Sequence, residues 1–180
     1  MIEDRWLIWR CKQGCRAAFQ RIYEKYEGDL RTLAANLLND KAAAEDVVHD
    51  VFISLLKVMD RFELRSNLAG YLKTCVANRS RDYRRAKKPK AVLVNDAEQV
   101  PSDDNGPVQW VMQNELSEHL DVGMSRLPYE QREAIVLYVH GRMKFKTIAK
   151  LQNVSTKTAH TRYRAGLEKL KSMLNSELRE

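Results

Sequence analysis

Apolar side chains return every three or four residues along this chain, in stripes long enough for helices and separated by short polar breaks. From Ala17 to Leu38, one face collects Phe19, Ile22, Tyr23, Tyr26, Leu30, Leu33, Ala34 and Leu37. A second stripe holds Ala44, Val47, Val48, Val51, Phe52, Leu55, Leu56 and Met59. A third runs through Leu68, Leu72, Cys75, Val76 and Tyr83, interrupted by Arg79. Strand-like alternation is not evident, and no proline occurs before Pro89. Three or four packed helices are the predicted outcome for residues 1–88.

The pattern lapses over residues 89–108. Pro89, Pro101 and Pro107 appear there among Asn95, Asp96, Ser102, Asp103, Asp104, Asn105 and Gly106, a linker composition that turns acidic after a basic entry. Helical spacing resumes from Gln109 through Trp110, Met112, Leu116, Leu120, Met124 and Leu127, and Pro128 suits the first turn of the next helix. The predicted fold class is therefore all-α, with two small helical domains, 1–88 and 109–180, joined by a flexible linker.

The last third has the layout of a helix-turn-helix. Phe145, Ile148, Ala149 and Leu151 give a short first helix its buried face, and the turn falls at Gln152, Asn153 and Val154. Asn tolerates the left-handed backbone such a turn needs. Ser155 is placed to cap a second helix through its hydroxyl. Ala159, Tyr163, Leu167, Leu170 and Leu174 continue a buried stripe along it. The second helix carries Lys157, His160, Arg162 and Arg164, and its N-terminal part leaves Thr156, Lys157, His160, Thr161 and Arg164 available to a major groove. Arg and Lys pair with guanine edges or phosphates, and Thr meets phosphates or a thymine methyl. A solvated basic face is the plain alternative; turn, cap and buried positions agreeing at fixed offsets favour DNA.

Charge supports that direction. The formal charge of +7 and pI near 9.4 favour a polyanionic partner. No run approaches the ~20 apolar residues that span a bilayer, and the N-terminus lacks a signal-peptide pattern, so a cytoplasmic protein is expected. Cys11, Cys15 and Cys75 suggest no disulfide framework, and Cys11 and Cys15 lack the further ligands a zinc site requires. No cofactor or metal is expected.

Two surfaces of the first half carry chemistry. Glu45, Asp46, His49 and Asp50 lie off the second stripe, with Asp46 and Asp50 forming a carboxylate pair beside the bulky Phe52. No partner acid, base or metal accompanies them, which argues against an enzyme; a solvated face is the plain alternative, and docking onto a basic partner the sharper one. The third helix shows Lys73, Asn78, Arg81, Arg84, Arg85 and Lys88 on its non-core side, after a loop with Arg61, Phe62, Arg65, Ser66 and Asn67. Cations interleaved with Phe62, Tyr71 and Tyr83 suit nucleic acid, because cations hold phosphates while rings stack on exposed bases; taken alone, a solvated basic face accounts for them equally well.

These motifs together resemble a sigma factor of RNA polymerase, of the extracytoplasmic-function (ECF) group of the sigma-70 family. AAFQRIYEKY is similar to the opening of the family's region 2, AAAEDVVHDVFISLL to its polymerase-binding helix, and LAGYLKTCVANRSRDYRR to its promoter-melting helix. The stretch from Leu127 to Leu170 is similar to region 4. The resemblance implies a noncatalytic subunit that directs initiation by recognising −10 and −35 elements and helping melt the DNA. It implies that Asp46, Asp50 and Phe52 bind the β′ clamp helices of core polymerase, with the β flap as a second contact. It implies −10 contacts from Arg65, Ser66, Asn67, Leu68, Lys73, Asn78, Arg81, Arg84 and Arg85, and −35 contacts from Ser155, Thr156, Lys157, His160, Thr161 and Arg164. An anti-sigma factor is a further implied partner. His49, Tyr71, Asn67 and Leu68 depart from the family's usual residues, as do Ala159 and Tyr163. The competing reading is a free-standing helix-turn-helix regulator that dimerises through its first half.

Overall fold

A computed structural model describes residues 2–64, 67–87 and 119–177. All regular structure among them is helical, in keeping with the all-α expectation. The chain divides into two compact units, Met1–Lys90 and Ala91–Glu180. The linker predicted at 89–108 and the helix start predicted at Gln109 lie outside the described residues.

The amino-terminal unit comprises α1 (Ile2–Lys12), α2 (Arg16–Leu38), α3 (Lys41–Val58), a 3-10 turn (Met59–Arg61) and α4 (Leu68–Lys87). Helix α1 escapes the periodicity reading because its apolar residues are split between two faces. Leu7 and Ile8 are buried, whereas Ile2, Trp6 and Trp9 are exposed. It ends at Gly14, whose φ of 79° is easy only for glycine. There the Gly14 and Cys15 amides bond back to the Cys11 and Arg10 carbonyls at 2.9 and 3.1 Å. On the buried side Asp4, 5% exposed, accepts from the Tyr26 hydroxyl at 2.7 Å and from Lys25 Nζ at 2.8 Å.

Two adjacent polar residues turn the chain from α2 into α3. Asn39 takes the left-handed conformation and its amide bonds to the Ala35 carbonyl at 2.7 Å. Asp40 then caps α3, its carboxylate accepting from the Ala43 amide at 3.0 Å. Helices α2, α3 and α4 pack on one another around Ile22, Leu30, Leu33, Leu37, Leu55 and Leu72. Fully burying a side chain of this size contributes about 1.5–3 kcal/mol. Tyr23 and Leu56 depart from their predicted stripes. Leu56 is 55% exposed, because the α3 face that meets α2 and α4 is filled by Val47, Val48, Val51, Phe52 and Leu55.

The carboxy-terminal unit holds α5 (described over 119–125), α6 (Tyr129–Val139), α7 (Phe145–Gln152) and α8 (Thr156–Glu177). Pro128 sits at the N-cap of α6, one step before the first helical turn. Helix α8 crosses α6 at Gly166, where a Cβ would lie 2.8 Å from Ile135 Cδ1. That close approach centres the packed face of α8 on Ala159, Gly166 and Leu170. Leu167, predicted on the buried stripe, therefore lies at its edge and is exposed, while Tyr163 and Leu174 are half-buried.

Candidate nucleic-acid interface and docking face

The turn between α7 and α8 is built as expected from its residue types. Asn153 is left-handed at φ 51° and ψ 46°, with its amide returned to the Ala149 and Lys150 carbonyls. The Val154 amide bonds to the Ala149 carbonyl at 3.0 Å. Ser155 Oγ accepts from the Thr158 amide at 3.0 Å, so its hydroxyl is engaged as the cap. Thr156, Lys157, His160, Thr161 and Arg164 are then all exposed. The Thr161 hydroxyl donates to the Lys157 carbonyl at 3.0 Å, which leaves its methyl group as the remaining contact. Arg164 reaches Glu168 at a long 3.8 Å, an exposed pair that competes weakly with another partner.

Two features of this unit lay beyond the periodicity reading. The His160 ring rests edge-on against Phe145 at 4.9 Å, and Phe145 stacks on Tyr138 at 4.6 Å with Tyr163 against both. Arg162, grouped by sequence with the basic residues of the second helix, turns inward instead. Its Nη1 donates to Gln152 Oε1 at 2.9 Å. The same amide's Nε2 donates to Glu133 Oε2 and to the Glu130 carbonyl, both at 2.9 Å. Glu133 is 0% exposed and also accepts from the Tyr129 hydroxyl at 3.1 Å. A glutamine four residues from Glu130 or Glu133 would have been a local signal; one on the next helix is not.

On α4 the predicted basic set divides by environment. Asn78 and Arg85 are exposed, while Lys73, Arg81 and Arg84 are half-buried. Arg85 approaches Asp82 at 3.9 Å. Arg65 and Ser66 lie outside the described residues. Asn67 Oδ1 accepts the Gly70 amide, so Asn67 caps α4. Leu68 requires correction: it is 0% exposed, held in the bundle core by the first turn of α4, and cannot meet a base. Phe62 is likewise buried and is no stacking platform, its ring lying under Tyr71 at 4.9 Å. Burial, with Cys75 alongside, pushes the Tyr71 phenol up to about 12, so this ring is neutral at physiological pH.

The acidic face of α3 has a different anchor from the predicted one. Phe52 is 3% exposed, its ring tilted against Tyr23 at 4.7 Å and edge-on to Phe19 at 6.3 Å. It is a core residue, and Ile53 and Leu56 are the large apolar side chains that α3 exposes. Asp46 and His49 are exposed above a groove of about 370 Å³ shared with Tyr23, Glu27, Arg31 and Glu45. Asp50 is bound by Arg79 from α4, through Nε at 3.1 Å and through Nη2. That pairing explains why an arginine interrupts the third stripe. Among the described residues, no group of three or more His, Cys, Asp or Glu could hold a metal, and no helix is long and apolar enough to cross a membrane.

Comparison with known proteins covers both units. The family models for sigma-70 region 2 and sigma-70 region 4 match residues 22–89 and 118–170. The RNA polymerase sigma factor CarQ of Myxococcus xanthus is 26% identical over 170 residues, covering 92% of this chain and 94% of CarQ. The ECF sigma factor SigW of Bacillus subtilis is 28% identical over 185 residues, covering 97% of each. Among solved structures, the sigma factor RpoE of Bartonella quintana, in complex with the anti-sigma factor NepR, superposes with a TM-score of 0.63 at 21% identity, covering 87% of this chain and 96% of that one.

Proposed function

The chain belongs to the sigma-70 family of RNA polymerase sigma factors, in its ECF group, and on that premise we propose how it acts as one. It binds core polymerase, carries no reaction of its own, and selects promoters by reading a −35 element with α8 and a −10 element with the region around α4. The observation that carries this reading is the capped, outward face of α8, where Thr156, Lys157, His160, Thr161 and Arg164 stand together beside a turn of the required geometry.

Each surface contributes a separate physical part. Helix α3 offers Asp46, His49 and Asp50 with Ile53 and Leu56 in one row, charge around an apolar centre, which suits the β′ clamp helices. The β flap is the partner for the carboxy-terminal unit. Arg81, Arg84, Arg85 and Lys73 supply positive charge along α4 for the DNA backbone, with Asn78 beside them for a base edge. Extruding a base costs a few kcal/mol, so the Arg65–Ser66–Asn67 loop must supply a pocket that offsets it. An anti-sigma factor, the kind of partner seen with RpoE, would control availability.

The test is to add the purified chain to core polymerase and map transcript starts on genomic DNA. New starts that share motifs at −10 and −35 are the expected result, and none at any template would overturn it. Reversing charge at Asp46 and Asp50 is expected to weaken capture of core polymerase. The exposed Ile53 and Leu56 favour one second reading, a dimerising regulator; a dimer in sedimentation that ignores core polymerase would select it.

A further inference from the structure

We infer that Arg162, Gln152 and Glu133 form a polar relay that sets the angle of α8 against α6 and α7, making Arg162 a positioning residue for base reading and not a DNA contact. This rests on the reading that α8 enters a major groove.

The reason lies in what holds α8 in place. Its closest packing residues are small: Ala159, 0% exposed, and Gly166, whose Cα side faces Ile135 and Gln131. Small residues bring helix axes together, but they interlock weakly and leave rotation and tilt under-determined. Hydrogen bonds are directional, and a buried set is satisfied in only one arrangement. Gln152 is the hub. It ends α7, next to the left-handed Asn153, and a single amide touches all three helices. Its oxygen receives Arg162 of α8 at 2.9 Å, and its nitrogen gives both hydrogens to α6, to Glu133 Oε2 and the Glu130 carbonyl. Tyr129 holds the other Glu133 oxygen at 3.1 Å, so the carboxylate cannot swing without losing a bond.

Arg162 sits in sequence among the outward residues Thr161 and Arg164. Two residues along a helix are about 200° around it, which places Arg162 across the axis from Arg164. A guanidinium there is poorly placed for phosphate and well placed to tie α8 to the turn. If the relay loosens, Lys157, His160 and Arg164 still carry charge to the DNA but no longer meet base edges in register. Selectivity should fall more than affinity.

The full chain assembled with core polymerase is tested on a promoter library randomised at −35. Selectivity is the ratio of binding to the wild-type-selected sequence over binding to the unselected pool. Gln152→Leu and Arg162→Met are each expected to lower this ratio about ten-fold, with pool binding held within about two-fold and the double variant adding nothing further. Gln152→Glu alone should also lose selectivity, because it sets a second carboxylate against Glu133. Combining it with Glu133→Gln should restore part of the loss, since the new carboxylate can accept from both Arg162 and the new amide, while the Glu130 carbonyl stays without its donor. Undiminished selectivity in folded Gln152→Leu overturns the relay. So does a loss in Arg162→Met that is uniform across the pool with a shallower salt dependence, which would make Arg162 a phosphate contact. Should Gln152→Leu not fold, the paired swap decides: restoration supports the relay and no gain over Gln152→Glu overturns it. A wild-type protein with no −35 preference at all would instead defeat the groove reading itself.

Discussion

In the amino-terminal unit the polar pairings lie to the side of a leucine-filled centre, one of them, at Asp4, buried under α1. Asp4 meets Lys25 and Tyr26 beside α1, Asp50 meets Arg79 across the α3–α4 surface, and leucines fill the space between. In the carboxy-terminal unit a carboxylate and an amide, Glu133 and Gln152, lie inside, where α6, α7 and α8 converge. Apolar burial is strong and non-directional, so it makes a stable scaffold whose outer faces are free to carry charge. Buried polar bonds add little net stability because desolvation offsets them, yet they specify direction. A module that must hold one helix at a fixed angle gains more from the second device than a platform that offers whole faces.

That contrast can be broken at its strongest point first. Leu72, fully buried in α4, should cost about 2–5 kcal/mol when changed to Ala, measured by urea unfolding of the full chain. With Trp110 changed to Phe, fluorescence of Trp6 and Trp9 on α1 follows the amino-terminal unit in that experiment. Glu133→Ala should cost less, about 1–3 kcal/mol, because it removes one hydrogen bond each from Gln152 and Tyr129 without emptying an apolar core. Its larger mark should appear in −35 selectivity. A stability loss at Glu133 equal to that at Leu72, with selectivity intact, would erase the distinction between the two units.

The buried Asp4 contact of α1 gives a pH signature. Burial pushes the Asp4 carboxyl up, but hydrogen bonds from Lys25 and Tyr26 outweigh it and hold the group below its ordinary value. A depressed carboxyl stabilises the fold above its unfolded pKa, and that contribution disappears as pH falls below about 4. Tyr26 works at the other limb: burial, then the bond to Asp4, pushes its phenol up to about 12, so its contribution is lost as pH rises from about 10. Asp4→Asn should flatten the acid limb in pH-dependent melting; an unchanged limb would mean α1 docks through Leu7 and Ile8 alone. The smallest effect is expected at Arg79→Gln, below about 1 kcal/mol in the same assay, because the Asp50 pair is exposed.

Periodicity located α2, α3, α4 and the helices of the carboxy-terminal unit because a 3.6-residue repeat of apolar side chains is a local signal. It missed α1, whose Trp6 and Trp9 face outward and blur the stripe. The turn at Asn153 and the cap at Ser155 were legible for the same reason: each depends on what a residue can do with its own backbone or that of a near neighbour. Leu68 and Phe52 fall on the apolar stripes that periodicity marks as core, and both are buried; only the resemblance gave them contact roles.

Helix order, the capped turn and the outward cations of α8 are written in spacings of four residues or fewer, within reach of a linear reading. Which side of an arginine's helix meets a partner is another matter. Arg79 and Arg162 look alike in the sequence, yet one closes on Asp50 twenty-nine residues away and the other on Gln152 at the far side of a turn. Those choices follow from where separate helices come to rest, because a hydrogen bond of 3 Å is formed only after packing has brought its two ends together.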